Sequence, residues 1–195
     1  MNKFIVFDGL DGCGKDTQVN LIAEMYEGQG RDVVIRSHPC NDNKFGKKSK
    51  QALLKTGKLN HIKATFYYGL DALRSVHMYY YNKKTDVLIF SRYTIAVAYL
   101  PNVIDTIVYR IVSFILPKSD CMFFLDVSPE ESLRRIKARN EDEEMFENIE
   151  DLKKARAKAK KVTYEWNVIP SDDSPEVISE KIKKICLESD KLPAK

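Results

Sequence analysis

Seven consecutive residues, Gly9-Leu10-Asp11-Gly12-Cys13-Gly14-Lys15, fit the spacing G-x-x-x-x-G-K. Glycines at these places let successive backbone N–H groups turn inward at a helix N-terminus, forming a cradle for polyphosphate oxygens. Lys15 is placed to reach the β- and γ-phosphates, and Thr17 to add a hydroxyl near the α-phosphate. One position breaks the pattern. The residue after the lysine should carry a hydroxyl for Mg²⁺, and here it is Asp16.

A phosphate cradle works only where a strand delivers it and a helix follows. Lys3–Asp8 (KFIVFD) is a β-branched and aromatic run that reads as a buried strand, and Val19, Ile22, Ala23 and Tyr26 recur at helical spacing from Lys15 onward. Asp32–Arg36, Asp86–Ser91, Cys121–Val127 and Asn167–Ile169 read as four further strands. His61–Tyr81 reads as a long helix with Asn60 as its cap, and Pro129–Arg139 and Pro175–Leu187 as helices with proline near the start. The alternation predicts an α/β, three-layer sandwich: a five-stranded parallel sheet with helices on both faces, forming one domain over residues 1–195.

The 195-residue chain is 44% hydrophobic and 31% charged, which excludes global disorder. Its four cysteines (Cys13, Cys40, Cys121, Cys186) show no CxxC or other metal-ligand spacing and no signal peptide precedes them, so a reduced, cytoplasmic protein is expected. The three histidines show no ligand spacing either. The most apolar stretch, Tyr93 to Leu116, is broken by Pro101, Asn102, Asp105 and Arg110, so no membrane span is expected. The net charge of +4 hides segregation. Residues 44–63 hold seven lysines and no acid, 141–151 seven acids and no base, and 153–161 six bases. Such runs are solvated helix faces or, for the first, an attractor of phosphorylated ligand. Only Phe45 interleaves with those lysines, so nucleic-acid binding is not expected.

The segment Phe4–Gln18 (FIVFDGLDGCGKDTQ) resembles the opening of thymidylate kinases, and the likeness continues in order. Ser37-His38-Pro39 falls where that family has Arg-Glu-Pro, with Gly46 and Lys50 where it has Gly and a phosphate-binding Arg. Phe90-Ser91-Arg92-Tyr93 and Ala98-Tyr99 resemble its Asp-Arg-Tyr and Ala-Tyr segment, and Leu133–Arg139 resembles the helix entering its lid, about residues 137–150. The resemblance implies ATP and Mg²⁺ as cofactors, a nucleoside monophosphate acceptor (dTMP foremost) and a homodimer. It implies a donor site of Gly9, Leu10, Asp11, Gly12, Cys13, Gly14, Lys15, Asp16 and Thr17. For the acceptor site it implies Pro39, Phe45, Lys50, Tyr68, Arg74, Arg92 and Tyr99. A transferring phosphoryl group needs cations, and with none inside the loop beyond Lys15, the resemblance adds Arg92 and lid-side Arg135 and Arg139.

The departures from the family pattern lie where the chemistry would be. Asp16 stands for the magnesium hydroxyl and Ser91 for the aspartate before Arg92, so carboxylate and hydroxyl have exchanged places. A hard cation requires oxygen ligands and charge more than a given chain position, so Asp16 and Ser91 are the expected metal residues. In the acceptor helix, either Tyr68 is the stacking residue with Ala72 in place of arginine, or Arg74 and His77 match the family's Arg-x-x-His with Leu70 stacking. Tyr67 and Arg74, seven apart on one face, offer a third arrangement. The apolar helix Val103–Leu116 has more hydrophobic faces than one core needs, and a homodimer is expected to bury it.

Overall fold

The computed structural model describes residues 3–55, 57–82, 85–94, 112, 114–138 and 149–191. Strand β1 (Lys3–Gly9) is buried at every position, as a strand covered on both faces must be. It is central in a sheet of order β2-β3-β1-β4-β5, with β2 Val33–Ser37, β3 Val87–Ser91, β4 Cys121–Asp126 and β5 Asn167–Pro170. All four pairings are parallel. The chain leaves β1 between β3 and β4, one on each side, and the crevice at such a switch point is where open α/β sheets bind ligands. The register sets Phe7 opposite Ser91 and Gly9 opposite Leu125.

Among the described residues, six α-helices cover the sheet: α1 Lys15–Glu27, α2 Lys44–Leu53, α3 Lys58–Ser75, α4 Pro129–Lys137, α5 Ile149–Val162 and α6 Pro175–Asp190. Alternation along the strands divides the core in two. Ile5, Phe7, Ile89, Phe123 and Leu125 face Val19, Ile22 and Tyr26 of α1 and Ile178 and Ile182 of α6. Phe4, Val6, Leu88, Phe90 and Met122 face the other way, against Val76, Tyr93 and Leu116. The first layer is closed by polar contacts: Lys3 Nζ lies 2.8 Å from Asp190 and donates to the Cys186 carbonyl, and Tyr26 donates its hydroxyl to Asp190 at 3.0 Å.

Most element ends lie within three residues of those the sequence predicts. The long helix starts at Lys58, before the expected cap Asn60, and widens into a π-helical turn over Val76–Tyr80. The lysine run is organised by α2 and the 153–161 base run lies on α5. Of the helix expected over 103–116, only residues 112 and 114–116 are described: Val112 packs on the second core layer, Leu116 is buried and Phe114 is 92% exposed. Tyr99, Arg139 and most of the lid lie outside the described residues. Among those described, no helix is long and apolar enough to cross a membrane.

Candidate active site

The G-x-x-x-x-G-K segment forms the bend between β1 and α1. Gly12 takes a φ of 73° there, and a Cβ on it would lie 2.6 Å from the Ser132 carbonyl oxygen. Only glycine meets both demands. Lys15 is buried, its ammonium donating to the carbonyls of Gly9 (2.9 Å) and Leu10 (2.6 Å) and to Cys13 Sγ (3.5 Å). Cys13 fills the small space beneath the loop, and burial pushes its thiol up despite the neighbouring ammonium. It is therefore an inert thiol, not a redox handle. Asp16 and Thr17 are exposed in the first turn of α1.

Arg92 follows β3 directly and has a φ of 58°. That left-handed backbone costs a branched or long residue of order 1–3 kcal/mol and persists only where neighbours hold it. Three neighbours do. Its N–H donates to the Phe7 carbonyl at 2.9 Å, its carbonyl accepts the Tyr68 hydroxyl, and its guanidinium meets Asp11 Oδ1 at 3.1 Å. Asp8, 2% exposed, accepts the N–H groups of Gly9 (3.1 Å), Tyr93 (3.0 Å) and Thr94 (2.8 Å). The start of the loop and the segment after β3 are thus one hydrogen-bonded unit. The hydroxyls of Ser91 and Thr94 are buried in it with no partner among the described residues.

From the other side, Arg135 reaches over the loop. Its Nη1 donates to the Gly12 carbonyl at 3.4 Å, while Nε is held by Glu131 at 2.6 Å. Ser132 donates to the Asp11 carbonyl at 2.5 Å, docking α4 against the loop. Arg134 pairs with Glu131 at 2.7 Å but is 69% exposed.

The expected acceptor residues divide into two groups. Tyr68 is buried beside Arg92, and burial pushes its phenol well up. It lies on the sheet-facing side of α3 with Ala64, Asp71, Ala72 and Ser75, so Tyr68 rather than Leu70 borders Arg92. Pro39 follows a cis peptide bond. The loop after it is fixed by Asp71, fully buried, whose Oδ2 accepts the Cys40 N–H and whose Oδ1 accepts from Asn43 Nδ2, both at 2.6 Å. Asn43 in turn caps α2 through Phe45 N–H and Gly46 N–H. The second group faces outward. Arg74 lies 3.7 Å from Asp42, which Arg36 grips in a two-point contact at 2.9 and 3.2 Å. Those contacts hold the Asp42 carboxyl far below the usual range, Arg36 first among them. Lys50 is exposed on α2, and Phe45 is half-buried with the Lys44 ammonium 5.3 Å from its ring.

A thymidylate kinase family model matches residues 7–182. This chain belongs to the thymidylate kinase family. It is 30% identical to a probable thymidylate kinase 1 of Saccharolobus solfataricus, spanning 95% of this chain and 97% of that one. A thymidylate kinase of Prochlorococcus marinus is 29% identical, with 95% of each chain covered. A solved thymidylate kinase from Candida albicans superimposes with a TM-score of 0.75, covering 100% of this chain and 96% of that one; at 15% identity it shows the shared fold. Within this family's chain, sequence reasoning passed over Asp8, Asp71 and Ser132. Asp8 had a signal, an acid closing a buried strand just before the phosphate loop. Asp71 showed only as the end of a Tyr68–Asp71 match to the family's Phe-Ala-Ala-Asp, with no role, and Ser132 gave no signal, because their partners lie 31 and 121 residues away.

Proposed function

We propose that this thymidylate kinase family member transfers the γ-phosphoryl group of ATP to a nucleoside monophosphate, dTMP foremost, as a cytoplasmic homodimer. The observation that carries this reading is the convergence of three cations on one loop. Lys15, Arg92 and Arg135 touch it at Gly9–Leu10, Asp11 and Gly12 respectively. Phosphoryl transfer calls for little else: positioning, and positive charge around oxygens whose charge spreads in the transition state.

The residues present fit ATP with Mg²⁺. At Gly9 and Gly12 the bend has no room for a Cβ, and Ser91 offers a buried hydroxyl lacking a partner among the described residues. The amides of Gly9–Gly14 and Lys15 would hold the donor phosphates, Thr17 the α-phosphate side, and Asp16 and Ser91 the metal. Mg²⁺, when bound, would supply positive charge that offsets the charge of the donor's phosphates. Lys15 then exchanges its three loop acceptors for phosphate oxygens, and Arg92 exchanges Asp11 for the acceptor phosphate. Arg135, held by Glu131, stabilises the transferring group from the lid side, with Arg139 a further lid cation. Pro39, Phe45, Lys50, Tyr68, Arg74 and Tyr99 would line or charge the acceptor side. The proposed dimer has exposed apolar side chains to bury: Leu59 (73% exposed) and Phe66 (61%) of α3, and Phe114.

The test is phosphoryl transfer from ATP across a panel of nucleoside monophosphates, nucleosides and non-nucleotide phosphates. Turnover strongest with dTMP is expected. ATP binding without turnover on any acceptor would overturn the reading. For the metal pair, Asp16→Thr and Ser91→Asp should each cost activity, and the double variant should retain more than the two losses combined allow.

A further inference from the structure

Beside Tyr68 and Phe90, three side chains meet that the phosphoryl-transfer reading does not use. His38, Cys40 and Asp71 are all buried, and one potential ligand atom of each lies within 4.8 Å of the other two. Neither nitrogen of His38, a residue 1% exposed, makes a hydrogen bond of normal geometry among the described residues. Leaving such a group without a good partner costs of order 1–3 kcal/mol. The ring otherwise meets aromatic edges, Phe90 at 5.0 Å and Tyr68 at 6.2 Å between centroids.

We propose that His38, Cys40 and Asp71 form a binding site for a thiophilic divalent cation of the zinc class. The ligand types fit that class: an imidazole nitrogen, a thiolate and a carboxylate suit zinc, where magnesium would take oxygens alone. Zinc bond lengths of about 2.0–2.3 Å set tetrahedral ligands roughly 3.4–3.7 Å apart, so the three atoms need close by only about an ångström. The charges also fit. A dication with one thiolate and one carboxylate is neutral, which removes the main penalty of burying it. Arg36 is the nearest opposing charge, and its two-point contact with Asp42 neutralises it.

The surroundings are already arranged. Burial lowers the His38 pKa, so the imidazole is neutral and keeps a lone pair at ordinary pH. Asp71 is oriented by the Cys40 N–H and Asn43 amide, with lone pairs to spare. Cys40 is a thiol donating to the Ser37 carbonyl at 3.0 Å. On binding, its proton leaves to solvent and the sulfur takes the metal in its place. Bound there, the cation would tie the Ser37–Asn43 loop, which carries Pro39, to α3, and its test reads metal binding rather than phosphoryl transfer.

The experiment uses the whole protein, stripped of metal and titrated with Co²⁺ and then Zn²⁺. We expect one equivalent of Co²⁺ to give a thiolate-to-cobalt charge-transfer absorption that Zn²⁺ bleaches. Melting should rise by about 5–10 °C at a hundredfold excess of free Zn²⁺ over Kd. Cys40→Ser should abolish the absorption, His38→Gln should weaken binding at least tenfold, and Cys186→Ala should leave it in place. X-ray absorption of the zinc-loaded wild type should show a single sulfur at about 2.3 Å, a readout that needs no variant to fold. No stoichiometric binding, no sulfur or several sulfurs around zinc, or an absorption that survives Cys40→Ser would overturn the site.

Discussion

Gly46 offers the sharpest test of how the acceptor side is built. It sits inside α2 with ordinary helical backbone, where glycine is a poor helix former and alanine should be better by about 1 kcal/mol. The structure gives the opposite sign. A Cβ on Gly46 would lie 1.8 Å from the Cys40 carbonyl oxygen and 2.7 Å from that residue's backbone N and C. Backbone cannot rotate away as a side chain can, so helix or loop must shift by about an ångström or more. The shift acts on short contacts: Cys40 N–H to Asp71 at 2.6 Å, Asn43 Nδ2 to Asp71 at 2.6 Å, and the Asn43 cap on Phe45 and Gly46 N–H at 2.9 and 3.1 Å. Weakening a buried bond to a charged group costs about 1.5–3 kcal/mol, and losing the cap about 1 kcal/mol. Net of the helix gain, Gly46→Ala should destabilise by about 1.5–3 kcal/mol in urea melts. An ångström of misplacement at this loop should also raise the acceptor KM at least tenfold while the ATP KM holds. Gly69, inside α3 with nothing within 4 Å of a built Cβ, is the internal control. Gly69→Ala should stabilise by up to about 1 kcal/mol. If Gly46→Ala is as stable as wild type, the close approach of α2 to Cys40 is wrong.

Three other outcomes follow from particular contacts. Arg135→Ala should cut kcat by about 10³-fold or more, whereas Arg134→Ala, which removes an exposed partner of Glu131, should leave it within a few-fold. Asp126 is opposed by burial, yet Arg156 at 2.6 Å and Lys160 at 2.9 Å outweigh that and hold its carboxyl below the ordinary range. Its folded pKa therefore lies below its unfolded one, so its stabilisation is complete at neutral pH and is lost as pH falls through the folded value. Asp126→Asn should lower stability at pH 7 and flatten the acid limb of a melting-temperature profile; an unchanged limb would refute the assignment. Phe66→Glu, on an exposed apolar position of α3, should shift a dimer toward monomer in sedimentation velocity with the melting temperature of the fold retained.

What the sequence makes legible is local. The phosphate loop, its strand and its helix are contiguous, and the buried strands declare themselves as short apolar runs bounded by turn residues. Helix α2 was read only as one option for a lysine run, and the reason is physical. Its buried positions are Gly46, Ser49 and Ala52, small residues that pack by close approach and leave no apolar periodicity to detect. The π-helical turn at Val76–Tyr80 has no sequence mark either. The acceptor residues drawn from resemblance met a second difficulty: helical spacing gives two faces of α3 equal standing until the sheet chooses one. Packing turns Tyr68 and Asp71 inward and leaves Arg74 beside Asp42. Asp71 holds the loop across 31 residues of chain, and no short window of sequence contains both ends of that bond.

The same long-range bonds explain why Arg92 can hold a backbone conformation that glycine would adopt more cheaply. The register places Phe7 beside Ser91, so the residue after each strand end emerges at the same edge. Asp8 takes the N–H groups of Tyr93 and Thr94, Phe7 takes that of Arg92, and Tyr68 takes hold of the Arg92 carbonyl from α3. A residue so constrained has little freedom except in its side chain, and that side chain points at Asp11 in the phosphate loop. Helix α3, Arg92 and the phosphate loop are thereby linked by contacts that need no nucleotide. An arginine that had to find its place only when both substrates were bound would lose rotamer entropy of about 2 kcal/mol at that moment. Holding it against Asp11 moves most of that cost into folding, and leaves the exchange of one anion for another as the step that substrate must drive.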